Sequence, residues 1–146
     1  MSSGLRGLLL DSDVLAEIRR SRPNPTIVAF LRRRSHRTLF VSALSVGELK
    51  GLYPHGETDR WLDELGERFQ DHVLNVDPQV ARAWAGRSTP DSILRMGKHA
   101  STSWTGAAVE GLVAATAEVH DLTVVSSKAD VYRAWGVEAQ DPWRES

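Results

Sequence analysis

Asp11, Glu48, Glu110 and Asp130 differ from the other acidic residues of the chain in what surrounds them. Asp11 closes the apolar run Leu8-Leu9-Leu10, and Asp13 follows two residues later. Glu48 falls in one four-residue column with Leu44 and Leu52, so on a helix it shares a face with leucines, which suggests burial; a place at the margin of the stripe with its head in water is the plain alternative. Glu110 interrupts a stretch from Gly106 to Ala117 that is apolar on nearly every side. A carboxylate in such a helix is costly unless a cation or several donors face it. A capping box does not account for it, because Ala107 stands three positions earlier where Ser or Thr would be needed. Asp130 comes after Ser126-Ser127-Lys128-Ala129 and, taken alone, reads as a helix cap. Carboxylates gathered in one place raise one another's pKa values until something positive neutralises them. With no cysteine and no evident histidine pair, the donors are oxygens, which favours Mg²⁺ or Mn²⁺. A divalent ion on such a cluster is suited to hydrolysing a phosphodiester.

Four or five strands separated by helices are needed to bring these residues together. Residues 7–10 read as a short buried strand, 38–42 as a second, 72–76 as a third, 123–125 as a fourth and 137–139 as a short fifth. Helices are expected from Val14 to Arg20, from Asn24-Pro25 to about Arg34, from Ser42 or Ser45 to about Tyr53, and from Thr58 to Phe69. Another follows Asp77-Pro78 with Val80, Ala81 and Trp84 inward, and the best defined runs from Ala107 to His120. Strands alternating with helices imply parallel pairing with right-handed crossovers, hence an α/β fold. In such sheets ligands bind beyond the carboxyl ends of the strands. Asp11, Glu48, Glu110 and Asp130 all fall at that edge.

A length of 146 residues suits a single domain over 1–146. The absence of cysteine excludes disulfides, thiolate metal sites and a Cys nucleophile. No window approaches the roughly 20 apolar residues of a membrane span, and Leu8 to Leu10 is too short for a signal-peptide core, so a soluble, cytoplasmic protein is expected. The net charge of -1 conceals an imbalance: residues 1–50 carry nine Lys and Arg against four Asp and Glu, and the remainder nine against fifteen. A basic region beside an acidic cluster suits a phosphate-bearing partner; a solvated helix face is the plain alternative. Trp104 could stack on an unpaired base, and Arg95, Lys98 and His99 could line an RNA channel. Ser12 and Ser42 have no His and Asp at triad-like positions, and no Gly-rich phosphate loop is present.

Five segments, residues 9–15, 41–49, 109–117, 122–126 and the Asp-Pro-Trp at 141–143, resemble in order and spacing the PIN-domain ribonucleases of the VapC toxin type. The resemblance covers nearly the whole chain. It implies a three-layer α/β/α fold around a parallel sheet and a Mg²⁺- or Mn²⁺-dependent endoribonuclease. It also implies a cognate VapB-type antitoxin and a homodimer. Carried over, Asp11, Glu48 and Glu110 match the three metal-site acids, and Asp130 lies close to the fourth. Asp13, Ser126 and Lys128 are possible supporting residues. The chain departs from the family pattern in three places: Glu110 replaces the usual Asp, Asp13 the usual Asn, and Ser126-Ser127-Lys128 the Thr-Arg followed by Asn or Asp. Lys128 could therefore offer an ammonium to phosphate or pair with Glu110 and quench the site.

Two rival readings remain at this level. One keeps the fold without turnover, as a module that binds RNA or antitoxin. The other is a phosphoacceptor receiver domain, which needs an Asp at the end of its third strand; here the nearest acid is Asp77, before Pro78.

Overall fold

The computed structural model describes residues 6–87 and 104–144. Strands β1 (Gly7–Leu10), β2 (Leu39–Ser42), β3 (Val73–Leu74), β4 (Leu122–Val125) and β5 (Ala139–Gln140) form one sheet in the order β3-β2-β1-β4-β5. Every neighbouring pair is parallel. Helices α1 (Ser12–Arg19), α2 (Pro25–Arg32), α3 (Ala43–Leu52), α4 (Gly56–Phe69), α5 (Pro78–Ala85), α6 (Trp104–His120) and α7 (Ala129–Ala134) make the outer layers. None of them is long and apolar enough to cross a membrane, among the described residues.

The three central strands are largely apolar, broken by Thr123 and by Ser42 at the end of β2, because both of their faces are covered. Leu8 and Leu10 of β1, with Leu39 and Val41 of β2, enter a core built with Val14, Ile27, Phe30, Leu49 and Leu65 from α1 to α4. Leu9 and Val124 point the other way, into a core with Val113, Ala114 and Ala117 of α6 and with Tyr132 and Trp135. Leu9 is fully buried, which contributes about 1.5–3 kcal/mol and helps hold a four-residue strand in register. Gly111 lets α6 lie close to its neighbours: a Cβ there would stand 3.1 Å from the Trp135 ring and 3.2 Å from Trp84.

Caps fix where the helices begin. Asn24 accepts from Thr26 N and Pro25 takes the first position of α2; Ser42 accepts from Leu44 N; Asp77 accepts from Val80 N. Asp11, the last residue before α1, is itself the cap, through Ser12 N at 2.9 Å. The edge strands are shorter than expected, two residues each, and β5 falls at 139–140 rather than 137–139. In α5, Val80 is buried but Ala81 is exposed, one helical step away from the packed side. Because Asp77 is spent on capping α5, beyond an edge strand, it has no place in a receiver-type site.

Candidate active site

β1 and β4 lie side by side with Leu10 opposite Val125, and Asp11 N donates to Val125 O at 3.0 Å. The next residue of each strand therefore emerges at the same point of the carboxyl edge. Ser126 Oγ donates to Asp11 Oδ2 at 2.9 Å, and Tyr132 OH, reaching in from α7, donates to the same oxygen at 2.9 Å. Asp11 is 2% exposed.

The turn after β4 is pinned to Asp13. Ser127 N donates to Asp13 Oδ2 at 2.8 Å, the Ser127 hydroxyl donates to the same oxygen, and Ser126 Oγ approaches it at 3.3 Å. Lys128 N in turn donates to Ser126 Oγ at 3.0 Å, which fixes the root of the lysine side chain.

Glu48 and Glu110 come from opposite layers. β2 ends at Ser42, whose cap launches α3 with Glu48 half-buried and close enough to Asp11 to feel its charge. α6 leads into β4, so its early turns lie at the carboxyl edge, and Glu110 sits there buried. Lys128 Nζ donates to Glu110 Oε2 at 3.1 Å. Leucine neighbours at four-residue spacing do not bury the whole Glu48 column, since Leu52, one turn on, is 66% exposed.

The cluster behaves as one electrostatic unit. Burial, and then the charge of Asp13, push the Asp11 carboxyl above the usual carboxylate range despite Lys128, the Ser12 backbone N–H and the Ser126 hydroxyl. Burial, then Asp11, push Glu48 up as well, with a smaller contribution from Glu110. Burial opposes the Lys128 ammonium, but Asp11, Glu110 and Asp13 outweigh it and hold Lys128 above its ordinary range. Tyr132 is held well above its usual range by burial and by Asp11. One ammonium thus leaves the acids short of positive charge. The donors are all oxygen, the kind Mg²⁺ and Mn²⁺ prefer. Among the described residues, no three acidic or histidine side chains as they stand converge tightly enough to grip one ion. Glu110 is engaged by Lys128, and Asp11 by Ser126 and Tyr132.

Asp130 is not brought into the cluster, contrary to the expectation from sequence. In the first turn of α7, Ala129 and Tyr132 form the inward face and are buried. Asp130 and Arg133 form the outward one, and they pair at 3.4 Å with the Asp130 side chain 73% exposed. Asp130 does not cap α7 either, whose cap position is Lys128. The residue that α7 does deliver is Tyr132, which spacing could have revealed: Ala129 and Tyr132 lie three apart on the apolar side. Arg95, Lys98 and His99 lie outside the described residues, as does the Trp104 side chain.

Acids gathered at the carboxyl edge of a five-stranded parallel sheet, with helices on both faces, define a PIN-like domain. No protein-family model matches the chain. It is 30% identical to Toxin FitB of Neisseria gonorrhoeae, over 94% of this chain and 99% of that protein. It is 25% identical to VapC ribonuclease Y4jK of Sinorhizobium fredii, over 93% and 97% of the two chains. The crystal structure of FitAcB from Neisseria gonorrhoeae superposes with a TM-score of 0.73 at 28% identity, covering 94% of this chain and 99% of that one. The chain belongs to the VapC-type PIN-domain toxins.

Proposed function

We propose that this toxin is an endoribonuclease that depends on Mg²⁺ or Mn²⁺, with Asp11, Glu48 and Glu110 as the ion-holding acids. The observation that supports the reading is the electrostatic coupling of these acids at the carboxyl edge: burial and Asp13 push Asp11 up, and burial, Asp11 and Glu110 push Glu48 up, with one ammonium among them. The relative named as a VapC ribonuclease supplies the substrate class. Bound among these acids, the ion supplies Lewis acidity to the scissile phosphodiester and lowers the pKa of the attacking water.

The chain's own groups do the positioning. Ser126 and Tyr132 fix the rotamer of Asp11, and Asp13 ties down the turn that carries Ser126 and Lys128. Asp11 and Glu48 would hold the ion and, with their remaining oxygens, orient the incoming water beside it. Purified protein should cleave single-stranded RNA in Mg²⁺ or Mn²⁺ and stop when EDTA is added. RNA cleavage that survives chelation removes the ion from the mechanism.

An antitoxin is the partner proposed on the strength of the toxin relatives. A groove between α1, α2 and α4 suits it. Leu31, Trp61 and Phe69 supply apolar lining, and Arg19, Arg32 and Arg68 charge the walls. Such a surface fits a segment that combines apolar anchors with carboxylates.

A further inference from the structure

Lys128 holds a position at odds with a site awaiting a cation. Its ammonium contacts Glu110 Oε2 at 3.1 Å and feels Asp11 and Asp13; its charge in turn reaches Glu48. Its backbone is anchored by the Ser126 hydroxyl at the start of α7, so the ammonium is aimed rather than free to wander. Its side chain is nevertheless 48% exposed, against 6% for Glu110, so a path to water lies open along the flexible four-carbon stem. A divalent ion and an ammonium cannot both take the same buried carboxylate oxygen without strong mutual repulsion.

We propose that Lys128 is a tethered counter-ion, seated in the acid cluster when no divalent ion is bound and expelled into solvent when one enters. This rests on the reading of the acids as a divalent-ion site. The lysine lowers the cost of gathering Asp11, Glu48 and Glu110 in the ion-free protein, and it competes with the ion for them. Ion affinity is then reduced by the fraction of molecules in which the lysine has already left. Half-maximal activity would need a higher concentration of divalent ion than in a site without the competitor.

The test is Mn²⁺ binding to the full chain, followed by the electron paramagnetic resonance of the free ion, for the wild type, Lys128→Met and Lys128→Arg. No turnover is involved. Lys128→Met should bind roughly ten-fold tighter than the wild type, and Lys128→Arg should stay within about two-fold of it. Without ion, Lys128→Met should melt below the wild type, and saturating Mn²⁺ should close that gap. Equal or weaker binding by Lys128→Met overturns the counter-ion role while leaving the ion site in place. No binding by any of the three proteins overturns the ion site and this inference with it. The wild type provides a check that needs no variant: acetylation by an N-hydroxysuccinimide ester, read by peptide mass spectrometry against Lys50. Saturating Mg²⁺ should raise the reactivity of Lys128 several-fold relative to Lys50. An unchanged ratio with Mg²⁺ bound overturns the proposal.

Discussion

Replacing Tyr132 by phenylalanine deletes one hydroxyl and keeps the ring that fills the core beneath α7. The ring is 1% exposed, so almost nothing else changes. The lost group is one of two donors to Asp11 Oδ2, each at 2.9 Å, and Ser126 remains. A hydrogen bond to a charged acceptor is worth roughly 1.5–3 kcal/mol, and the surviving donor puts the loss at the lower end, about 1.5 kcal/mol. For a domain of this size each kcal/mol moves the melting temperature by about 2–4 °C, so Tyr132→Phe should melt about 3–6 °C below the wild type. The assay is a thermal melt in EDTA at pH 8, repeated at pH 4. The difference should shrink at the lower pH, because a protonated Asp11 is a weaker acceptor. RNA cleavage should fall as well, since Asp11 loses one of its orienting contacts. A Tyr132→Phe protein that melts with the wild type at pH 8 refutes the claim that α7 positions Asp11.

Asp11→Asn should abolish RNA cleavage and flatten the dependence of stability on pH. The folded protein holds the Asp11 carboxyl above its ordinary value, so the favourable contribution is complete below about pH 4 and is lost as pH rises through the folded value. Ion-free wild type should therefore lose stability between pH 4 and pH 8, and Asp11→Asn should lose less, by denaturant titration; an equal or steeper loss in the variant contradicts the burial argument. Lys128 acts at the other end, stabilising the fold below its ordinary value of 10.5 and ceasing to do so as pH rises through its raised value. Asp130→Ala should leave cleavage, ion binding and stability within about 0.5 kcal/mol of wild type, and a hundred-fold loss of cleavage would restore Asp130 to the site. Leu31→Glu, which places a carboxylate among the groove's arginines, should break co-purification with the antitoxin while RNA cleavage persists; intact co-purification would move the partner elsewhere.

The central strands were legible because burial on both faces writes them as unbroken apolar runs, as in Leu8-Leu9-Leu10. The edge strands were less so, because two-residue elements leave little pattern and their ends shift by a residue or two. Asp11 and Glu110 stood out for one reason: a carboxylate amid apolar neighbours is costly, and both are in fact buried. Glu48 lies half-buried at the margin of its column; spacing finds Leu44, Glu48 and Leu52 on one face without showing that the far end runs out into solvent. The outward placement of Asp130 has the same root. Proximity in sequence to the turn after β4 suggested a ligand, whereas helical phase turns Asp130 outward and Tyr132 inward. The ties from Ser127 to Asp13 and from Tyr132 to Asp11 join residues 114 and 121 positions apart, and no local pattern announces them.

Soaking a crystal in Mn²⁺ and collecting anomalous diffraction tests the central claim most directly. The account predicts one peak among Asp11, Glu48 and Glu110, about 2.1 Å from their oxygens, with the Lys128 ammonium moved out toward solvent. No peak there at saturating Mn²⁺, or peaks only at surface acids, would contradict it.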